Sequence, residues 1–370
     1  MIQLKGRRVA IFADGRFGPV TSKVATSYLR YCHQDCVAVI DHRLAGKDVG
    51  DILGYAHGIP VVESVKSALA RKPDVLIIGV GLHSNELPTE WRSQIAQAIV
   101  AGLDIVSGLH FRIAVDEEFK ELAQGSGSRI WDTKEPPEQL ATSTARLDEL
   151  DRFIVHTVGS DCRVGKKTTA IEITQTANRR GINTGFVATG QSGIYISGNG
   201  VAVDAVPSDF VAGVSEELVR KSAEHHDWVV VEGQGAVSHP AYSGVTLGLL
   251  HGAMPHALIL CHEANLTHHK GWPNVPLRTL RELITTYEHL ASFLRPAKVV
   301  GISVHCGDLD KSDAATYLSC IESETGLPAT DAIHFGTEKL VDALVRYRAM
   351  LPQRLDAPHE ETPSEPVAAA

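Results

Sequence analysis

The clearest sign of a functional site in this 370-residue chain is a loop bounded by glycines. The loop leads into a basic, threonine-rich segment. The segment runs from Gly159 to Thr169 and reads Gly-Ser-Asp-Cys-Arg-Val-Gly-Lys-Lys-Thr-Thr, directly after an apolar run. Glycines allow a tight turn with inward N–H groups, the helix that follows adds the positive end of its dipole, and a lysine reaches the outer phosphates. The segment therefore predicts a phosphate-binding loop of the Walker A kind.

The phosphate contacts are assigned to the loop and to the start of the helix after it. The residues are Gly159, Ser160, Asp161, Cys162, Arg163, Gly165, Lys166, Lys167, Thr168 and Thr169. Lys166 is expected to contact phosphate, Thr168 or Thr169 to contact metal or phosphate, and Lys167 to be a second phosphate ligand or a surface charge. The glycines are separated by five residues, and Lys167 stands before the first threonine, which are both departures from the usual motif. The alternative is an ordinary strand, turn and helix with Asp161 as the cap.

A carboxylate at the end of a second apolar run is placed to complete such a site. The run from Asp227 to Val231 is followed by Glu232 and by a Gly-Gln-Gly turn. A Walker B carboxylate is presented in this way beside a phosphate loop, where it holds Mg²⁺ directly or through water. Glu232 and Thr168 are therefore the predicted metal ligands, and an acid that caps a backbone turn is the alternative for Glu232.

These motifs together resemble the D-glutamate N-acetyltransferase family over nearly the whole chain. The likeness rests on the loop, on the Val-Glu-Gly-Gln-Gly strand end, and on residues 238–252, Ser-His-Pro-Ala-Tyr-Ser-Gly-Val-Thr-Leu-Gly-Leu-Leu-His-Gly. Shorter matches in the amino-terminal part are Asp14-Gly-Arg16, Leu87-Pro-x-x-Trp-Arg92 and Ser107-Gly-Leu-His110. More distantly, the loop is similar to that of dethiobiotin synthetase and CTP synthase.

The resemblance implies transfer of acetyl from acetyl-CoA to the amino group of D-glutamate, in D-amino-acid catabolism. Coenzyme A carries a pyrophosphate and a 3′-phosphate, so the same backbone cradle can hold it. The substrate ammonium must lose a proton before the amine attacks the thioester, and the oxyanion that develops needs donors in place. The candidate bases are His239, on the loop after the strand end, then Glu232 and Asp161, with a polar loop histidine of no catalytic role as the alternative for His239.

Several further residues are candidates for substrate binding, nucleophilic attack or metal binding at the same site. Arg16, Arg112 and Arg163 are the candidates for holding the two carboxylates of glutamate. Cys162 is interpreted as a small loop residue rather than a nucleophile unless its thiol is activated. The group His262, Glu263, His268 and His269 is interpreted as a polar loop rim rather than a metal site.

Two other functions stay open at this stage. One is an ATP- and Mg²⁺-dependent kinase or ligase that acts on a carboxylate, as the likeness to dethiobiotin synthetase suggests. The other is a nucleotide-binding regulator without catalysis. The first strand is followed by residues 13–18, Ala-Asp-Gly-Arg-Phe-Gly, instead of the Gly-x-Gly-x-x-Gly of dinucleotide-binding domains, so NAD binding by the first domain is not expected.

The elements that must position these residues alternate between short apolar runs and helical periodicity, which predicts two α/β domains with parallel sheets. The first, a Rossmann-like domain, is assigned to residues 1–135, and the second, of the P-loop NTPase-like type, to residues 150–350. Turn-forming clusters at residues 124–128 and 135–138 place the boundary between them. Residues 353–370 are rich in Pro, Glu and Ala and are predicted to be a disordered tail.

Composition narrows the setting. A net charge of -9 gives no overall attraction to nucleic acid or to an anionic membrane, and no apolar run approaches the length that spans a bilayer. The start of the chain lacks the pattern of a secretory signal, and the six dispersed cysteines fit reduced thiols. We therefore expect a cytoplasmic enzyme that acts on a small molecule and forms a homo-oligomer.

Overall fold

The structure is a computed structural model that describes residues 2–82, 86–307 and 309–352. The tail predicted for residues 353–370 lies outside the described residues.

Within the described residues, the first half of the chain builds one sheet of six parallel strands in the order β3-β2-β1-β4-β5-β6. The strands are β1 (Val9–Phe12), β2 (Cys36–Ile40), β3 (Val61–Val62), β4 (Val75–Ile78), β5 (Asp104–Ser107) and β6 (Ile130–Asp132). The helices are α1 (Lys23–Cys32), α2 (Val49–Leu53), α3 (Val65–Leu69), α4 (Thr89–Val100) and α5 (Glu117–Ser126). Strands β1 and β4 are apolar at every position because both faces of a parallel sheet are covered.

The described part of the second half builds another parallel sheet of six strands, in the order β14-β13-β10-β7-β9-β8. These strands are β7 (Phe153–Gly159), β8 (Thr184–Val187), β9 (Trp228–Val231), β10 (Ala257–Glu263), β13 (Lys298–His305) and β14 (Ala329–Thr330), and an antiparallel pair is formed by β11 (His268–His269) and β12 (Trp272–Pro276). The helices are α6 (Lys166–Arg179), α7 (Gln191–Ser197), α8 (Val211–Ala223), α9 (Ser243–Ala253), α10 (Leu280–Ala291), α11 (Lys311–Thr325) and α12 (Glu338–Met350).

The strand orders confirm the predicted fold class, a Rossmann-like α/β domain followed by a P-loop α/β domain. In the first sheet the order reverses between β1 and β4, and in the second β7 lies between β9 and β10. Crevices form at the carboxyl ends of strands where the order reverses. The loop after β7, the predicted phosphate loop, starts at this position.

Some elements differ from the pattern seen in the sequence. Residues 124–128 are not a linker, because residues 124–126 end α5, left-handed Gly127 caps it, and β6 then pairs with β5. Helix α9 has little polar periodicity, and two of its glycines, Gly248 and Gly252, pack closely on α8: a Cβ on Gly252 would lie 2.1 Å from the Ala212 carbonyl oxygen. None of the helices in the described part of the chain is both long enough and apolar enough to cross a membrane.

Candidate active site

The loop between β7 and α6 curls around the side chain of Lys166. The lysine Nζ donates to the carbonyl oxygen of Asp161 at 2.7 Å, and the side chain is buried. Gly165 closes the loop with a φ of +99°, and a Cβ on Gly159 would lie 2.8 Å from that Nζ. Burial lowers the pKa of Lys166, which indicates an ammonium with too few anionic partners. A phosphate at the helix start would supply such a partner.

Side chains from a distant segment hold the loop in this shape. Asp161 accepts from His269 Nδ1 at 2.8 Å and from the Lys270 backbone N–H at 2.8 Å. Burial would raise the pKa of Asp161, but these hydrogen bonds outweigh it and lower that pKa. Ser160 Oγ lies 2.9 Å from His262 Nδ1, so Ser160 is tied to the end of β10 and Asp161 to the segment at β11.

The histidines that make these contacts were expected on a polar loop rim, and that interpretation is wrong for two of them. His262 and His269 are buried, and burial lowers the pKa of His262 to about 4. His268 is exposed, and Glu263 pairs with Lys270. His262 and His269 support the phosphate loop, and His262 can do so because β10 continues to Glu263 instead of ending in the apolar run.

Glu232 follows β9 directly and lies beside the phosphate loop. Its Oε2 accepts from the backbone N–H groups of Thr189 at 2.9 Å and Gly190 at 3.1 Å, at the start of α7. Burial raises its pKa, although the nearby Lys167 works in the opposite direction. The carboxylate thus both caps a backbone turn and lines the cavity at the loop.

Gly233 is required by the close approach of β9 to β7. A Cβ at this position would lie 1.8 Å from the Thr157 carbonyl oxygen, and the Gly233 N–H donates to Thr157 Oγ1 at 3.0 Å. Gly244, in α9, has open space around it.

We expect Gly233→Ala to lower the free energy of unfolding by about 2 kcal/mol or more through overpacking. Gly244→Ala is the matched control and should be neutral or slightly stabilising, since Ala favours a helix. Urea unfolding of both variants measures the difference, and equal stabilities would contradict the described contact.

His239 is buried on the loop after β9, against the rings of Tyr242 and Trp272. Its Nδ1 accepts from the Ala241 N–H at 3.1 Å, which leaves the proton of a neutral ring on Nε2. That Nε2 has no hydrogen-bond partner among the residues that the structure describes and lies 3.6 Å from Asp161 Oδ1. Burial lowers the pKa of His239, although the nearby Asp161 works in the opposite direction, and this favours the neutral ring.

A cavity of about 660 Å³ lies between the two domains, with the phosphate loop at its base. The second domain lines it with Arg163, Lys166, Lys167, Thr168, Thr169, Glu232 and Asp331, and helix α1 of the first domain lines it with Lys23, Thr26, Ser27, Arg30 and Tyr31. Residues 23, 27, 30 and 31 fall on one face of a helix. That spacing is the signal in the sequence that could have identified the first domain as part of the site.

Two contacts from α1 connect the domains beside the cavity. The Tyr31 hydroxyl donates to Glu172 Oε1 at 2.9 Å, and Lys167 Nζ donates to Ser27 Oγ. Burial lowers the pKa of Lys167 to about 8, with Glu232 opposing the shift. Lys167 is therefore part of the cavity wall and not a surface charge.

The other candidates are divided between the cavity and positions away from it. Arg163 lines the cavity, whereas Arg112 pairs with Glu135 and Arg16 lies over the ring of Trp91. Cys162 also lines the cavity, but burial raises the pKa of its thiol, so it is not an activated nucleophile.

Comparison with known proteins agrees with this geometry. Residues 140–341 match the P-loop domain of unknown function DUF1611, and residues 42–136 match its Rossmann-like amino-terminal partner. The crystal structure of a DUF1611 family protein from Anabaena variabilis is 37% identical, covers 92% of this chain and 100% of its own, and superposes with a TM-score of 0.88.

Two similar curated proteins carry the name of a specific activity. A D-glutamate N-acetyltransferase from Tritonibacter scottomollicae is 39% identical over 76% of this chain and 84% of its own length. Another, from a Pseudoalteromonas species, is 35% identical over 75% of this chain and 83% of its own length. The chain belongs to the DUF1611 family of two-domain P-loop proteins, and within it to the D-glutamate N-acetyltransferases, a group of acyltransferases.

Proposed function

We propose that this protein moves an acetyl group from acetyl-CoA to the α-amino group of D-glutamate, in the breakdown of D-amino acids. The observation that supports this most is its similarity to two D-glutamate N-acetyltransferases over most of their length. The cavity at the domain boundary is a second support, because it joins a phosphate loop to cationic side chains that would attract a dicarboxylate.

The phosphate loop would hold the phosphates of coenzyme A. Lys166 and the backbone N–H groups at the start of α6 face the cavity, so they can bind a pyrophosphate without any phosphoryl transfer. Lys23 and Arg30 of α1 face the loop from the other domain, where a further phosphate or a substrate carboxylate would meet them.

Of the three candidate bases, Glu232 is the one that lines the cavity. Its raised pKa makes it a better proton acceptor than an ordinary carboxylate. Asp161 is engaged with His269 and Lys270, and the free nitrogen of His239 carries its proton. In this proposal Glu232 takes the proton from the substrate ammonium, Asp161 anchors the phosphate loop to His269 and Lys270, and His239 lies beside Asp161.

The acetyl step needs no covalent intermediate on the protein. The free amine attacks the thioester carbonyl, the C–N bond forms, and the oxyanion is favoured by the cationic lining of the cavity. The C–S bond then breaks, the nitrogen loses a proton to give the amide, and the thiolate of coenzyme A takes up that proton and leaves as a thiol.

Enantiomer preference tests the substrate assignment. D- and L-glutamate carry the same groups, so a site that binds both carboxylates can bring only one enantiomer's amine within about 3.5 Å of the thioester. We expect thiol release with D-glutamate well above L-glutamate and D-aspartate, whose shorter side chain moves one carboxylate off its partner. Equal rates for the two enantiomers would contradict the assignment.

A kinase or ligase that uses ATP and Mg²⁺ is the second candidate, and the phosphate loop itself is the observation that favours it. It would use Glu232 and Thr168 as metal ligands and would release ADP when a carboxylate substrate is present.

A cytoplasmic setting is part of the proposal, since all six cysteines are free thiols, as in a reducing compartment. A homo-oligomer stays a prediction.

A further inference from the structure

A P-loop fold implies a magnesium ion beside the phosphates, and the hydroxyl that would bind it is replaced in this chain. In the usual motif a Ser or Thr follows the lysine and ligates Mg²⁺. Here Lys167 follows Lys166, and an ammonium cannot ligate a cation.

The neighbouring threonines do not replace that hydroxyl. Successive residues of a helix are turned by about 100°, so Thr168 does not project in the direction of position 167. Its hydroxyl instead interacts with the Tyr31 hydroxyl of the first domain. Thr169 Oγ1 lies 2.7 Å from Ser303 Oγ in a buried contact.

The acidic partner of a metal is also engaged elsewhere. Glu232 Oε2 accepts two backbone hydrogen bonds, from Thr189 and Gly190, which satisfy negative charge that a metal would otherwise neutralise. Among the described residues that line the cavity, cationic side chains outnumber carboxylates five to two. The cations are Lys23, Arg30, Arg163, Lys166 and Lys167, and the carboxylates are Glu232 and Asp331.

We propose that Lys167 takes the place of the magnesium ion, so that this P-loop binds a polyphosphate without any divalent cation. The ammonium is held at the cavity wall by Ser27 of the first domain. A lysine in this position adds one positive charge from the chain itself, and the first domain adds Lys23 and Arg30. That coenzyme A is the ligand rests on the proposed function, whereas independence from the metal does not.

Titration calorimetry of the whole protein tests this with coenzyme A and, separately, with ATP, each in EDTA and in excess Mg²⁺. The expected result is an affinity for coenzyme A that differs less than about threefold between the two buffers, well under the tenfold that one lost charge-assisted contact causes. A loss of about tenfold or more in EDTA would overturn the inference and leave the acetyltransferase proposal standing.

The ATP titration separates the two proposals. If coenzyme A fails to bind but ATP binds equally well with EDTA and with Mg²⁺, the proposed function falls and the inference stands. If ATP binds only with Mg²⁺ and coenzyme A does not bind, both fall. Binding of neither ligand in either buffer also overturns both.

Two substitutions at one position test the replacement itself. Lys167→Met is expected to bind coenzyme A about tenfold or more weakly than the wild type, both in EDTA and in Mg²⁺. Lys167→Thr restores the usual hydroxyl and is expected to lose as much in EDTA, but to regain affinity when Mg²⁺ is added. Lys221→Thr, an exposed lysine on α8 paired with Glu217, is the matched control and should bind as the wild type.

Thermal unfolding without ligand establishes that the variants are folded. Unchanged affinity of folded Lys167→Met would overturn the inference. If a Lys167 variant does not fold, the comparison of wild-type affinity in EDTA and in Mg²⁺ still decides it.

Discussion

Replacing Lys166 by Ala is expected to weaken binding of acetyl-CoA by about 2 kcal/mol or more, because it removes a charge-assisted contact with phosphate. The same change should leave the fold intact. Among the described residues, the buried Lys166 ammonium has only the Asp161 carbonyl oxygen as a hydrogen-bond partner, so its removal relieves an unfavourable burial of charge.

Calorimetric titration and thermal unfolding together measure the two effects. Lys221→Ala, on the exposed face of α8, is the control for loss of a lysine. We expect the Lys166 variant to bind acetyl-CoA poorly and to have an unfolding temperature equal to or higher than that of the wild type. Unchanged affinity for both acetyl-CoA and ATP would reject the phosphate site.

Glu232→Gln is expected to lower kcat by about a hundredfold or more, the usual range for loss of a general base. Gln keeps the volume of the side chain, and its oxygen can still accept from Thr189 and Gly190, so the turn at α7 should survive. Glu121→Gln, an exposed carboxylate on α5, is the matched control and should be fully active.

The pH profile separates a base from a structural carboxylate. Only the ionised carboxylate accepts a proton, so activity falls as the pH drops through the pKa of Glu232, which burial raises above its ordinary value. The acid limb of kcat should therefore lie above the usual carboxylate range and should be absent from the residual activity of Glu232→Gln. An unchanged acid limb in the variant would assign the base to another group.

Inhibition by EDTA is an independent test of whether Glu232 binds a metal. An enzyme that uses Glu232 to hold Mg²⁺ loses activity when the metal is removed, whereas an acetyltransferase with a carboxylate base does not. Strong inhibition by EDTA, reversed by Mg²⁺, would favour the kinase or ligase.

The parts of the site that were predictable from the sequence are local in the chain. The phosphate loop joins a strand to a helix within residues 153–179, and Glu232 follows its strand directly. Turn residues, apolar runs and helix starts are all signals between near neighbours, so spacing alone identified both.

The supporting contacts were not predictable in the same way, because they join distant residues. His269 and Asp161 are 108 positions apart, and Tyr31 and Glu172 are 141 positions apart in separate domains. Hydrophobic patterning predicts that β10 ends before His262, because His262 and Glu263 are polar. In the structure the strand continues to Glu263, and the contact with Ser160 compensates for the burial of His262.

The most direct test of the central claim follows both products when the purified protein is mixed with acetyl-CoA and D-glutamate. We expect one thiol to be released for each N-acetyl-D-glutamate formed, with EDTA present and without ATP. The same protein mixed with ATP, Mg²⁺ and D-glutamate should release no ADP. ADP formed with a carboxylate substrate, and no thiol released with any amino acid, would rule out acetyl transfer and place this P-loop among the kinases or ligases.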